Sequence, residues 1–113
     1  MKKDSLIFIR HILESIENIE VYAKKLTKEK LTADTKIQDA IIRRIEILGE
    51  AVKNLPEDFK NKHPEVEWSE IIRTRDKIIH HYFGVDLNIV WDIIKNNLPN
   101  LKKKIKTILG EVD

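Results

Sequence analysis

One stretch decides the helical character of this chain: residues 68–83, which read WSEIIRTRDKIIHHYF. Projected on a helix at about 100° per residue, its apolar side chains share one face. They are Trp68, Ile71, Ile72, Ile79 and Phe83. Arg75 and Tyr82 fall in the middle of that face. A guanidinium among apolar side chains is costly to desolvate, so a partner or a function must require it there.

The same stretch concentrates groups that suit chemistry on a phosphate. Arg75 offers a rigid fork of donors for phosphoryl oxygens, and Tyr82 offers a phenol. Asp76 and His80 are four residues apart and meet on an adjoining face, where the carboxylate can orient the imidazole. Since histidine titrates near neutral pH, His80 suits proton transfer. These residues form the candidate catalytic set.

Apolar periodicity predicts three more helices around this one. The first covers about residues 5–26, the second about residues 35–55, and the last starts after a capping Asp86. A capping box at Thr35-x-x-Gln38 is predicted to start the second helix, and residues 27–34 are predicted to form a loop. The predicted fold is an all-α antiparallel four-helix bundle.

Two residues are unusual for the helices that contain them. Gly49 lies inside the second helix, where glycine costs about 1 kcal/mol relative to alanine. Close approach of another backbone would explain it, and a tolerated accident is the alternative. Pro99 should break the last helix, yet the apolar stripe continues in phase across it. This favours one helix kinked near Pro99 over two helices with a bend between Asn96 and Pro99.

Length and composition set broad limits on the protein. A chain of 113 residues is expected to form one domain, residues 1–113. It has no cysteine, which excludes disulfides and thiolate metal clusters. Charged residues interrupt the apolar residues near the N-terminus, so a cytoplasmic protein is expected. The net charge of +2 neither demands nor excludes nucleic acid.

Arg75-x4-His80-x-Tyr82 matches the Arg-x(4–6)-His-x-Tyr signature of HEPN-domain proteins. The surrounding sequence resembles the HepT-like toxin subfamily over nearly the whole chain. The segments that carry this likeness are residues 42–51 (IRRIEILGEA), residues 63–68 (HPEVEW), residues 75–85 and Val90-Trp91.

The resemblance implies a metal-independent ribonuclease without a cofactor. It would act as a homodimer, in which the Arg and His of two protomers face each other across an RNA-binding cleft. Arg75 and His80 would be catalytic, and Asp76 fits the polar residue that the family favours after the Arg. The family also implies a minimal nucleotidyltransferase antitoxin that attaches AMP to the motif tyrosine, here Tyr82.

Other interpretations stay open at this point. Arg75 could be a structural residue paired with Glu46 or Glu50. The domain could bind RNA, nucleotide or a nucleotidyltransferase without cleaving, or be a helical adaptor. The cluster of lysines at residues 102–106 could contact RNA, although a solvated helix face explains it as well. Asp76 and His80 have helical spacing for a metal, but the neighbouring His80 and His81 point apart and His11 and His63 are distant in sequence, so no metal site is predicted.

Overall fold

Helices are the regular structure of the described part of the chain, which contains no strand. The structure, a computed structural model, describes residues 3–80, 84 and 86–112. The elements are α1 (Lys3–Tyr22), α2 (Lys28–Ala33), α3 (Thr35–Asn54), α4 (Glu57–Lys62), α5 (Trp68–Ile79), α6 (Leu87–Asp92), the π-helical turn π1 (Ile93–Asn97) and α7 (Leu98–Val112). The predicted all-α helical bundle is confirmed.

The long helices pack around a shared apolar core, with α3 at the centre of the contacts. It packs against α1, α2 and α5, while α7 packs against α1. The buried positions of α1 and α3 include Ile9, Ile12, Ile16, Ile19, Ile41, Ile45, Leu48 and Val52. Burying apolar surface stabilises the folded state by about 25 cal/mol per Å², so these buried side chains hold α1 and α3 together. Helix α5, which carries Arg75, packs against α3.

The connection between α1 and α3 differs from the predicted loop. Helix α1 ends at Tyr22 rather than near Leu26, and Lys25 adopts a left-handed φ of 62° that a right-handed helix does not contain. Residues 27–34 include helix α2, which buries Leu31 completely. Leu31 is the one buried residue of this short helix, and a single buried position in a polar segment produces no periodic signal.

The start of α3 also differs from the prediction. Asp34, not Thr35, is the cap, because its carboxylate accepts two backbone N–H groups of the first turn at 3.0 and 3.2 Å. The Gln38 amide turns away from the predicted capping box and donates to the carbonyl of Leu31 at 2.8 Å. Asp86, by contrast, caps α6 as predicted.

The last helix runs without a break from Leu87 to Val112. Pro99 has no N–H, so a regular α-helix would leave the carbonyl of Lys95 without its usual partner. The turn before the proline widens into π1, in which Leu98 donates to the carbonyl of Ile93, five residues back. Ile93 and Leu98 are 7% and 5% exposed, so the wider turn keeps both in the core. The prediction of one helix across Pro99 is confirmed.

Candidate active site

Helix α5 is anchored at its N-terminal end. Trp68 is buried, and its Nε1–H donates to the carbonyl of His63 at 3.0 Å. Farther along, Ile71 is half-buried against the core and Ile78 is 4% exposed, whereas Ile79 is 36% exposed. The residues that the helical projection placed on one face therefore lie on two. Trp68 and Ile71 face the core, whereas Ile79 faces solvent. Ile78, which was not on the projected face, is buried in the core.

The stem of Arg75 lies directly on α3 at Gly49. A Cβ atom at Gly49 would lie 2.8 Å from Arg75 Cβ and 2.9 Å from Arg75 Cδ, and it would collide with Cγ between them. Carbon atoms in contact are normally about 3.5–4.0 Å apart, so only glycine permits this approach. Gly49 does mark a close contact, as predicted, but its close neighbour is a side chain rather than another backbone.

Two carboxylates hold the guanidinium of Arg75. Its Nη2 donates to Glu50 Oε2 at 2.8 Å, and its Nη1 donates to Asp76 Oδ1 at 2.6 Å. The Arg75 side chain is 17% exposed. Of the two partners that the sequence suggested, Glu50 is the correct one, because Glu46 pairs with Arg43 at 3.3 Å. Arg75 is thus a partly buried, ion-paired arginine that still lies at the edge of the bundle.

Among the described residues, the guanidinium of Arg75 has no hydrogen-bond partner besides these two carboxylates. An arginine has five N–H groups, and the two ion pairs use one on each terminal nitrogen. The Nε–H of Arg75 is buried without a hydrogen-bond partner in the described part of the chain. Such a group costs about 1–3 kcal/mol and calls for an explanation. Arg75 also borders an open cleft of about 390 Å³ between α1 and α3, so solvent reaches its surroundings.

His80 closes α5 as its C-terminal cap and is exposed. Its ring nitrogen Nδ1 lies 2.8 Å from the backbone carbonyl oxygen of Asp76. Because a carbonyl oxygen can only accept, Nδ1 is the nitrogen that carries the hydrogen. In the neutral ring this leaves Nε2 as the basic nitrogen, which is the form that a general base requires.

Asp76 contacts both candidate catalytic residues, but not in the predicted way. Its carboxylate was expected to orient His80, whereas the structure turns it to Arg75. The full charge of the neighbouring guanidinium makes that bond the stronger one. The orientation of His80 comes instead from the Asp76 backbone carbonyl, which also accepts the His80 N–H at 3.0 Å.

Tyr82, the predicted site of modification, lies outside the described residues. Helix α5 ends at Ile79, short of its predicted end at Phe83. The expected common face of Arg75 and Tyr82 assumed a regular helix as far as residue 82. Because α5 ends before residue 82, the prediction for Tyr82 rests on its place in the motif.

The lysine cluster of α7 divides into two kinds of residue. Lys102 donates to Glu20 of α1 at 2.7 Å, and this hydrogen bond raises the pKa of Lys102 above its ordinary value of 10.5. Lys102 thereby links α7 to α1. Lys103 and Lys106 are exposed, as expected of a solvated face. Among the described residues, no group of three or more histidine or acidic side chains is placed to hold a metal ion.

Fold and site together define the class of this protein. It is an all-α domain in which one helix end carries a fixed guanidinium and an exposed imidazole, the groups needed to bind a phosphate and to move a proton. Within the described residues, no helix has the length and apolar character needed to cross a membrane.

Comparison with known proteins assigns this class to a family. The family described as "Ribonuclease HepT-like" matches residues 12–108, and the chain belongs to it. The enzyme class predicted from the motif, a ribonuclease, is confirmed by this membership. No solved structure matches the chain.

Three similar proteins come from two organisms. A Thermococcus cleftensis protein named "Probable ribonuclease HepT" is 44% identical over 108 residues, which are 96% of this chain and 98% of that protein. A "Putative RNase" of Methanocaldococcus jannaschii is 46% identical over 99% of this chain and 93% of its own length. A longer protein of that organism, "Gamma-glutamylcyclotransferase and putative RNase", is 48% identical over 100% of this chain, which spans only 51% of that relative.

Proposed function

We propose that this protein cleaves RNA as the toxin of a toxin–antitoxin pair, with Arg75 and His80 as its catalytic residues. One observation carries the proposal. At the C-terminal end of α5, Arg75 is fixed by two carboxylates and has further N–H groups without a partner among the described residues, while the exposed His80 directs Nδ1 to a carbonyl. The first residue suits phosphate binding and the second suits proton transfer.

The proposed chemistry uses the ribose 2′-OH of the substrate as the nucleophile. A base removes its proton as the 2′-oxygen attacks phosphorus, the bond to the 5′-oxygen breaks, and an acid gives that oxygen a proton. The products are a 2′,3′-cyclic phosphate and a 5′-hydroxyl. Arg75 stabilises the additional negative charge on the phosphorane, and His80 transfers protons. No step requires a metal ion, so cleavage is expected to be metal-independent.

The proposed active form is a homodimer. The reaction needs an acid and a base, and each chain supplies one His80, so two facing protomers would supply both. The exposed face of α5 offers an apolar surface for this contact, with Ile79 at 36% exposure and Ile72 half-buried. Trp68, which the helical projection placed on one face with Ile72 and Ile79, does not contribute to this contact because it belongs to the core.

The proposed partner is a minimal nucleotidyltransferase antitoxin that acts in the same cytoplasm. It would attach AMP to Tyr82, two residues after His80. Support for this step comes from the Arg-x4-His-x-Tyr motif alone. A bulky phosphate group so close in sequence to His80 would obstruct RNA and compete with it for the cation.

One observation favours a second function, a HEPN module that binds RNA, nucleotide or a nucleotidyltransferase without cleaving. The terminal nitrogens of Arg75 are already bonded to Glu50 and Asp76, which is the arrangement of a structural arginine. The unused N–H groups favour the catalytic role, and a cleavage assay decides between the two functions.

The decisive experiment measures cleavage of mixed-sequence single-stranded RNA, with and without EDTA, by the wild type, Arg75→Ala and His80→Ala. The control is Arg73→Ala, because Arg73 is 73% exposed and pairs only with Glu70 in the described part of the chain. Each catalytic variant should lose about 100-fold or more in rate, while the control and the EDTA sample stay near the wild type. Full activity in either catalytic variant would refute the assignment, and inactive wild-type protein would favour the binding module.

A further inference from the structure

We propose that Gly49 and Glu50 are positioning residues for the ribonuclease reaction. Together they form a seat on α3 that fixes the guanidinium of Arg75 where it meets the RNA phosphate. The inference rests on the proposed function, because it requires Arg75 to contact RNA. Nothing in the motif itself points to α3, since these residues lie about 25 positions before Arg75 in the chain.

The first half of the seat is the missing side chain of Gly49. Any Cβ there would lie 2.8 Å from Arg75 Cβ, closer than carbon atoms normally approach. Rotating the Arg75 side chain would move Cγ and Cδ away but would leave its Cβ in place. Relief therefore requires α5 to move away from α3, which would displace both Arg75 and His80.

A second helical glycine shows that this constraint is specific to the site. Gly110 of α7 has nothing within 4 Å of the position its Cβ would occupy. Alanine is favoured over glycine inside helices, so it should be tolerated there. The two glycines therefore form a matched pair, of which only Gly49 touches the proposed machinery.

The second half of the seat is the carboxylate of Glu50. Its 2.8 Å bond to Nη2 and the 2.6 Å bond from Nη1 to Asp76 hold two points of one planar group. With the stem fixed on Gly49, these two contacts determine the plane of the guanidinium. The remaining N–H groups of Arg75 then have fixed directions before RNA arrives, which is the condition for electrostatic stabilisation of a transition state.

The negative charge of Glu50 repels RNA, and this effect distinguishes a positioning role for Glu50 from a role in RNA binding. A carboxylate 2.8 Å from the cation opposes the approach of an RNA phosphate. Removing it should therefore not weaken RNA binding, although it should disturb the geometry in the transition state. The expected signature is a fall in kcat without a rise in KM, which a general loss of structure would not produce.

The experiment compares RNA cleavage kinetics and thermal unfolding for five variants. Glu50→Leu removes the acceptor, and Glu50→Gln keeps an acceptor oxygen but no charge. Gly49→Ala is compared with its control Gly110→Ala. Glu70→Leu is the control for Glu50. The Glu70 carboxylate lies 2.9 Å from a terminal nitrogen of Arg73, so its ion pair does not involve Arg75. Arg75→Ala is measured beside them as the reference for loss of the cation.

We expect kcat to fall by about tenfold in Glu50→Leu and by up to about 100-fold in Gly49→Ala, since misplacement of about 1 Å can cost that much. Glu50→Gln should recover most of the kcat that Glu50→Leu loses. Both controls should keep the wild-type kcat. If Gly49→Ala does not fold, the two Glu50 variants still test the seat. The Glu50 side chain is 54% exposed, so replacing it should leave the fold intact.

The outcomes separate this inference from the function on which it rests. Suppose that Arg75→Ala is inactive while folded Gly49→Ala and Glu50→Leu keep the wild-type kcat. This result overturns the seat and leaves the catalytic assignment intact. Active Arg75→Ala overturns both. A fall in kcat that Glu50→Gln does not recover, or one accompanied by an equal loss in Glu70→Leu, also overturns the seat.

Discussion

At the scale of single residues, Arg75 reconciles two interpretations that the sequence left as alternatives. It is ion-paired with Glu50, as a structural arginine would be, and it lies at the edge of a cleft with N–H groups that have no partner in the described part of the chain. The two descriptions are compatible because a guanidinium has more N–H groups than its two carboxylate partners use. An ion pair that holds a cation in place is also a way of preparing it for a ligand.

Two adjacent isoleucines give a residue-scale prediction. Ile78→Ala should destabilise the protein by about 2–5 kcal/mol, because it deletes a core side chain that is 4% exposed. Ile79→Ala, at 36% exposure, should cost about 1 kcal/mol or less. Urea unfolding of both variants measures the difference. Equal losses would mean that α5 is rotated from the orientation described above.

At the scale of elements, the start of α3 depends on one carboxylate. Asp34→Ala should cost about 1 kcal/mol, because two first-turn N–H groups lose their acceptor. Thr35→Ala is the matched control and should cost less, since Thr35 makes no capping bond in the described structure. Thermal unfolding of the two variants provides the measurement. A larger loss in Thr35→Ala would restore the capping box that the sequence suggested.

At the scale of the whole molecule, we expect a homodimer formed through the exposed face of α5. Light scattering at micromolar concentration should give twice the chain mass of 13.3 kDa. Ile79→Asp should give monomers with little RNA cleavage, because burying a carboxylate in an apolar contact is costly. Val21→Asp is the control, since Val21 is 70% exposed on α1, away from α5. Monomers of wild-type protein would remove the composite site.

The proposed antitoxin activity is tested on the same scale by co-expressing this protein with a minimal nucleotidyltransferase. Mass spectrometry should locate an AMP adduct on Tyr82, and Tyr82→Phe should remain toxic in the presence of the antitoxin. Tyr22→Phe, the other tyrosine of the chain, should be neutralised like the wild type. Equal neutralisation of Tyr82→Phe would indicate that the antitoxin acts by another route, such as blocking the cleft.

The amino-acid sequence by itself determined the helical class, the motif residues and the buried stripe of α3. These features depend on periodicity and residue type within one element, and both can be read along the chain. The continuous helix across Pro99 was predictable for the same reason. Helix α2 was missed because one buried Leu31 in a polar segment creates no period.

Only the tertiary structure decided which carboxylate meets Arg75, which isoleucine of α5 is buried, and where α5 ends. Each of these features depends on how α3 and α5 pack against each other. The residue pattern of a single helix does not specify that packing. The glycine inside α3, Gly49, was the sequence feature that indicated a close contact. Its missing side chain makes room for the stem of Arg75. Arg75 lies in α5 and His80 caps that helix, but the position of the Arg75 guanidinium comes from the packing of α5 against α3.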